Sequence, residues 1–220
     1  MKYIFVDFEM NPVDSKHRQE RRICRNEIIE IGAVMLNENL QEIASYKAYV
    51  KPEYSTNIYK RIEVLTGITD GMVHSANCFE KELRSFVEWC GTEDYEIYAW
   101  SENDKKQVEQ ELGLKGVNDQ CFLEYMFNHW VDYQEQFMEL AETDKRLGLE
   151  KALNICGIPF VGKMHDAVCD ARNTSLLYRE SKTTDLSDCI KKITEKAVTK
   201  QNEITLGDLI DFSGFVLQPA

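Results

Sequence analysis

The chain opens on a nearly continuous apolar run, KYIFVDFEM. Its segment from Tyr3 to Phe8 is short, β-branched and aromatic, the pattern of a buried strand. EIIEIGAVML (27–36) predicts a second strand, ENLQ a hairpin turn, and EIASYKAYV (42–50) a third strand that Lys51 and Pro52 end. Helical spacing follows over 58–65 and closes at Gly67. A longer helix is predicted over 77–90, where Phe79, Leu83, Phe86, Val87 and Cys90 share one face. EIYAW (96–100) predicts a strand, 103–112 a helix and 121–125 a short strand, with helical segments from 129 onward. A three-strand meander followed by alternating helices and strands predicts a mixed sheet with helices on both faces. There is no repeat, low-complexity tract or linker, and 220 residues suit one domain with appendages.

Two acids interrupt the first strand's end. Residues two apart on a strand point the same way, so Asp7 and Glu9 present neighbouring carboxylates. Such a pair repels unless a proton or cation lies between, and a hard divalent metal with oxygen ligands fills that role. The plain alternative is a surface pair at a strand end.

Composition adds bounds. The hydrophobic fraction of 43% and charged fraction of 29% are ordinary for a globular chain. No apolar stretch has the length of a membrane span, and no secretory leader pattern is present. The seven cysteines are scattered, with no CxxC pair, which argues for reduced thiols in a cytoplasm and against a disulfide framework or zinc site. The net charge of -12 argues against nucleic acid as a partner, but its distribution softens that. KHRQERRICR (16–25) has five Lys or Arg and one acid, a local +4 that leaves -16 on the other 210 residues. Arg18, Arg21 and Arg22 are thus candidate phosphate contacts near the acids, or else a solvated loop balancing them.

Two further clusters carry candidate chemistry. In AWSENDKKQ, Asp104 opens the helix after the fourth strand, where a carboxylate also serves as a cap, as Glu102 and Asn103 would. In MHDAVCDARN, His165 and Asp170 would lie about 140° apart if both were helical, so they converge only if His165 is on the preceding loop. Gly157, Pro159 and Gly162 predict that loop, and Asp166 is a natural N-cap. A surface histidine beside a salt-bridged Asp170 is the alternative.

Taken in order, DxE, a later Asp and HxxxxD resemble the DEDD exonuclease superfamily, in its histidine-bearing (DEDDh) subtype. A tyrosine four residues before the last Asp would mark the other subtype, and Asp166 stands there. The matching positions are Asp7, Glu9, Asp104, His165 and Asp170; EIIEIGAV and LTGIT (65–69) also resemble family segments. VDFEM, the basic insertion and YAWSENDKKQ look closest to the exoribonuclease branch of histone-mRNA 3′-end and RNAi-enhancing nucleases and to bacterial KapD-like proteins.

The resemblance covers about residues 1–182 as an exonuclease domain and leaves 183–220 as a C-terminal helical extension packed on it. It implies a ribonuclease H-like three-layer fold with a five-stranded mixed sheet. It also implies two divalent ions, Mg²⁺ or Mn²⁺, and 3′–5′ release of nucleoside monophosphates from single-stranded nucleic acid, RNA favoured over DNA. Asp7 would bridge both ions, Glu9 and Asp170 would hold the nucleophile-side ion, and Asp104 would help the other. His165 would take the proton from the attacking water. Phe8, Met10, Leu65, Thr66 and Gly67 would hold the 3′ end, with Trp100 stacking a base or packing in the core. A DNA-directed proofreading or repair exonuclease and an inactive nuclease-fold binding protein are the alternatives. No protein partner or oligomeric state follows from the sequence.

Overall fold

The computed structural model describes residues 1–187 except Glu93 and Asp119. Its elements run β1 (Lys2–Pro12), α1 (Glu20–Ile23), β2 (Asn26–Leu36), β3 (Glu42–Lys51), α2 (Lys60–Thr66), α3 (Asp70–His74), β4 (Asn77–Cys78) and α4 (Phe79–Cys90). Then follow β5 (Tyr95–Ala99), α5 (Glu102–Leu114), a 3₁₀ turn (Cys121–Leu123), α6 (Glu124–Asn128), β6 (Trp130–Asp132), α7 (Tyr133–Leu140), α8 (Leu149–Ile155) and α9 (Ala167–Glu180). The sheet order is β4-β3-β2-β1-β5-β6. The meander β1–β2–β3 is antiparallel, and β1, β5 and β6 run parallel.

Alternation along β1 explains why its sequence is apolar on both phases. Ile4, Val6 and Phe8 pack into one core with Phe79, Leu83 and Phe86 of α4 and Val108 of α5. Phe5 points the other way, into a second core with Tyr133, Phe137, Leu153 and Leu177 from α7, α8 and α9. The result is a three-layer α/β architecture, the ribonuclease H-like fold.

Five strands of the expected mixed sheet are joined by β4, a two-residue pairing at the edge of β3 where the helix of 77–90 was expected to start. The strand expected over 121–125 is instead a 3₁₀ turn running into α6. Leu123 and Met126, both fully buried, are spaced by three, a helical interval, and the edge strand falls later at Trp130–Asp132. The basic segment also contains a helical turn, α1. The expected extension over 183–220 lies mostly outside the described residues.

Gly32 decides how closely α9 meets the sheet. A Cβ there would lie 2.2 Å from the backbone of Ala167 and Val168, so the start of α9 rests directly on β2. Both neighbours are backbone and cannot swing aside. Gly32→Val is expected to destabilise the fold by about 3 kcal/mol or more, at the upper end of overpacking costs. A urea titration of both chains checks this; a variant within 1 kcal/mol, by the ordinary surface-substitution range of roughly ±0.5 kcal/mol, would show that α9 has room to shift.

Candidate active site

The acids of the first motif sit within β1, not at its tip. The strand runs to Pro12, and its pairing with β2 slips between Glu9 and Met10. On the other side β5 pairs with β1 only as far as Val6–Ala99. Beyond that point no strand pairs with this edge of β1 among the described residues, and there the Phe8 N–H donates to the carboxylate of Asp104. Ser101 is the N-cap of α5, accepting from Asn103 N–H at 3.3 Å. Asp104 is thereby released from capping, and it is buried against β1.

The last motif is arranged as its spacing required. His165 lies on the loop before α9 with a left-handed backbone (φ 59°), a conformation costly for a non-glycine residue. Its N–H donates to Asp170 Oδ2 at 2.9 Å, which holds the turn. Asp166 caps α9 by accepting from Cys169 N–H at 3.1 Å. Glu9, His165 and Asp170 each offer a ligand atom within 4.8 Å of one another.

This cluster is strongly anionic. Burial, with Asp104, Asp170 and Glu9 around it, holds the Asp7 carboxyl well above the usual carboxylate range. Burial and Asp170 push Glu9 up to about 8. Burial raises Asp104 to about 7 against the Phe8 N–H, and Asp170 to about 6 against the His165 N–H. None of the four makes an ion pair with Lys or Arg among the described residues. Four hard oxygen donors converging without a cation fit divalent metal ions, with Asp7 central, Glu9 and Asp170 on the α9 side and Asp104 on the α5 side.

The clustering has a consequence for stability. Each of these carboxyls holds its proton more tightly folded than unfolded. The folded chain is therefore favoured at low pH, and that advantage is lost as pH rises through about 6, 7 and 8 for Asp170, Asp104 and Glu9. In EDTA the thermal midpoint is expected to fall by several degrees, about 2–4 °C per kcal/mol, between pH 5.5 and 8.5. Saturating Mg²⁺ or Mn²⁺ is expected to abolish that fall. A metal-free midpoint that stays flat over this range would mean the acids do not repel.

The acids open into a cleft of about 330 Å³ lined by Asp7, Phe8, Glu9, Trp100, His165 and Asp170, with Leu149, Phe160 and Met164 on its wall. Trp100 packs on Tyr133 and Phe137, so it belongs to the core and also borders the cleft. Asp104, buried beside Asp7, is not among the lining residues, and neither are Met10, Leu65, Thr66 and Gly67. Met10 packs against the core that also holds Phe8, while α2 is tied to the loop before α9 by Lys163 Nζ, which donates to Thr66 O at 2.8 Å. Gly67 takes a left-handed conformation (φ 81°) at the C-cap of α2. Phe160 and Met164 were not singled out from the sequence. Their signal was large apolar residues placed in a Gly/Pro loop just before the histidine motif.

The basic segment does not reach the cleft. Arg18, Arg21 and Arg22 are exposed and make no ion pair among the described residues. Ile23 of α1 lies against Gly113 near the far end of α5. That is nine residues, or roughly 14 Å of helix, from Asp104.

The exonuclease family RNase_T matches residues 4–178, and the chain belongs to that family, with the DEDDh set of residues. It is 31% identical to "ERI1 exoribonuclease 2" of Mus musculus, over 90% of this chain and 31% of that protein. It is 24% identical to "3'-5' exoribonuclease 1" of Rattus norvegicus, over 76% of this chain and 49% of that protein. The chain thus spans a third to a half of these relatives' lengths. Its fold matches the nuclease domain of 3'hExo, a DEDDh family member bound to rAMP. There the TM-score is 0.70 at 22% identity, covering 84% of this chain and 94% of that one. Among the described residues no helix is long and apolar enough to cross a membrane.

Proposed function

We propose that the chain is a metal-dependent 3′–5′ exonuclease that hydrolyses single-stranded nucleic acid to nucleoside monophosphates, with RNA preferred to DNA. The observation that carries this reading is the mutual proximity of Asp7, Glu9, Asp104 and Asp170, without a cationic partner among the described residues, with Asp7, Glu9 and Asp170 lining one cleft beside His165 in a DEDDh-family fold. Similarity to two proteins named as exoribonucleases favours RNA.

Asp7, Glu9 and Asp170 would hold one divalent ion, and Asp7 with Asp104 the other. Bound there, the two ions relieve charge on the leaving oxygen and ease deprotonation of water. His165 stands at the exposed mouth of the cleft on a turn locked by Asp170, so its imidazole can approach the attacking water without displacing the carboxylates. It takes the water's proton, a role for which imidazole is the usual side chain. Phe8, Trp100, Phe160 and Met164 give the terminal nucleotide apolar surface. The exposed Leu65 and the α2 turn at Thr66 and Gly67, tied by Lys163 to the loop before α9, would meet the strand outside the cleft, with Met10 packed in the core behind Phe8. The exonuclease unit spans residues 1–182, with 183–220 as an appendage.

Matched RNA and DNA oligonucleotides, labelled at the 5′ or 3′ end, test the reading. In Mg²⁺ or Mn²⁺ the 3′ label is expected as mononucleotide at once, and the 5′ label in a descending ladder, faster for RNA. Internal cleavage or no cleavage would overturn the exonuclease assignment; faster DNA hydrolysis would overturn the RNA preference.

Arg18, Arg21 and Arg22, exposed on the segment that packs against α5, would meet phosphates upstream of the reacting bond. Replacing all three with Gln is expected to raise KM several-fold with kcat nearly unchanged. It should also flatten the slope of log affinity against log salt, by about 0.7 for each phosphate of a single strand that is no longer neutralised. An unchanged slope would make this segment a solvated face.

A further inference from the structure

A fifth carboxylate, Glu30, sits beside the acidic cleft and lies outside the four-acid set. It pairs with Glu9 across β1 and β2, on the same face, where directly opposite Cβ atoms are about 5 Å apart. It is 1% exposed, and its charge reaches Asp7, Glu9 and Asp170. Two like charges so placed are destabilising, and a buried carboxylate beside a metal centre is a competing ligand. The structure removes it from that competition. Glu30 Oε2 accepts from Ala167 N–H at 3.0 Å, and Oε1 lies 2.9 Å from Lys47 Nζ. The same ammonium bonds Asp166, the N-cap of α9.

Register explains why Lys47 is available. Asp7, Gly32 and Lys47 form one row across β1, β2 and β3. Gly32, lacking a side chain, leaves the space in which the backbone of Ala167 and Val168 rests. The first turn of α9 therefore sits between the central acid and the lysine, and Lys47 closes over it from the far side. Asp166 precedes the helix that carries Asp170, and it directly follows His165.

We infer that Lys47, through Glu30 and Asp166, is a positioning residue for catalysis. It holds the start of α9 in register with β1 so that His165 and Asp170 face Glu9, and it keeps Glu30 from acting as a metal ligand. The inference rests on the exonuclease reading above. Lys47 touches neither substrate nor ion in this role, and partners of this kind typically carry 10–100-fold of activity.

The experiment uses Lys47→Met, Lys47→Arg and the double variant Glu30→Gln/Lys47→Met. The double variant removes both charges while leaving an amide oxygen for Ala167 N–H. Turnover of a single-stranded oligonucleotide is measured with Mg²⁺, and amide hydrogen exchange over 165–170 is followed in EDTA. Lys47→Met is expected to lower kcat by about 10–100-fold with KM nearly unchanged, and to speed exchange of 165–170 in the metal-free protein. Lys47→Arg, which can still bridge two carboxylates, should recover most of both. The double variant should fold with balanced charge yet remain slow and exchange fast, which a purely charge-balancing lysine would not produce. If Lys47→Met does not fold, the arginine and double variants decide. Wild-type kcat in the double variant overturns the positioning role and leaves Lys47 only restraining the Glu30 carboxylate; unchanged exchange in a folded Lys47→Met likewise overturns the positioning role. A wild-type chain without hydrolysis would instead refute the exonuclease reading, and the exchange result would still report on positioning.

Discussion

Asp7→Ala is expected to abolish nucleotide release, by on the order of a thousandfold or more, while the chain still folds. Asp7 is the hub of the cluster: it is fully buried, and Asp104, Asp170 and Glu9 all act on its carboxyl. Removing it dismantles both candidate ion positions. Each bound ion supplies several kcal/mol of charge stabilisation, and about 1.4 kcal/mol is tenfold in rate. The shift of thermal midpoint caused by Mg²⁺ or Mn²⁺ should shrink with it. Asp7→Asn sharpens the test. It relieves repulsion among buried acids, so the metal-free variant should melt higher than wild type while being equally inactive, an instance of stability traded for function. Circular dichroism, metal-induced midpoint shifts and mononucleotide release from a 3′-labelled strand check these results. Turnover retained by a folded Asp7→Ala chain would remove the two-ion assignment.

His165→Ala has the second largest expected effect and a different signature. Its ring is at the cleft mouth, while the backbone that locks the turn and the Asp170 carboxylate would remain. Turnover should fall by roughly a hundred to ten thousand fold, the usual contribution of a positioned base. Oligonucleotide affinity and the metal-induced midpoint shift should persist. Disappearance of that midpoint shift would make His165 a ligand, since its ring nitrogen is close enough to Glu9 and Asp170 to be one. Undiminished turnover would leave the HxxxxD spacing without catalytic meaning. The contrast with Asp7→Ala separates groups that hold the ions from the group that moves the proton.

Local pattern carried much of this. The buried phases of β1 and β2, the hairpin between β2 and β3, the helix closing at Gly67 and the cap at Asp166 all follow from short-range rules, and the structure has them. The spacing argument for His165 worked because a helix cannot bring residues five apart to one point, so a loop was required. Where local pattern failed, competing short-range signals were close in strength. CFLEY has strand-forming residue types but a helical interval between Leu123 and Met126, and burial of those two against α4 and β5 decided for the helix. Asp104, Glu102 and Asn103 were equivalent as caps until Ser101 took that place.

The sequence by itself determined the layered α/β class and the order of the motifs, because these depend on residue type and spacing along one segment; the acids were picked out as a set only by the resemblance of that order to the DEDDh pattern. Tertiary structure decided what those acids face. That Asp104 reaches the Phe8 N–H depends on β5 ending at Ala99. That α9 lies close enough to place Asp170 beside Glu9 depends on Gly32 opposite Asp7. That the arginines of 18–22 stay outside the cleft depends on how α1 packs against α5. These are relations between segments distant in the chain, set by strand register and by the space a side chain leaves, and no local periodicity encodes them.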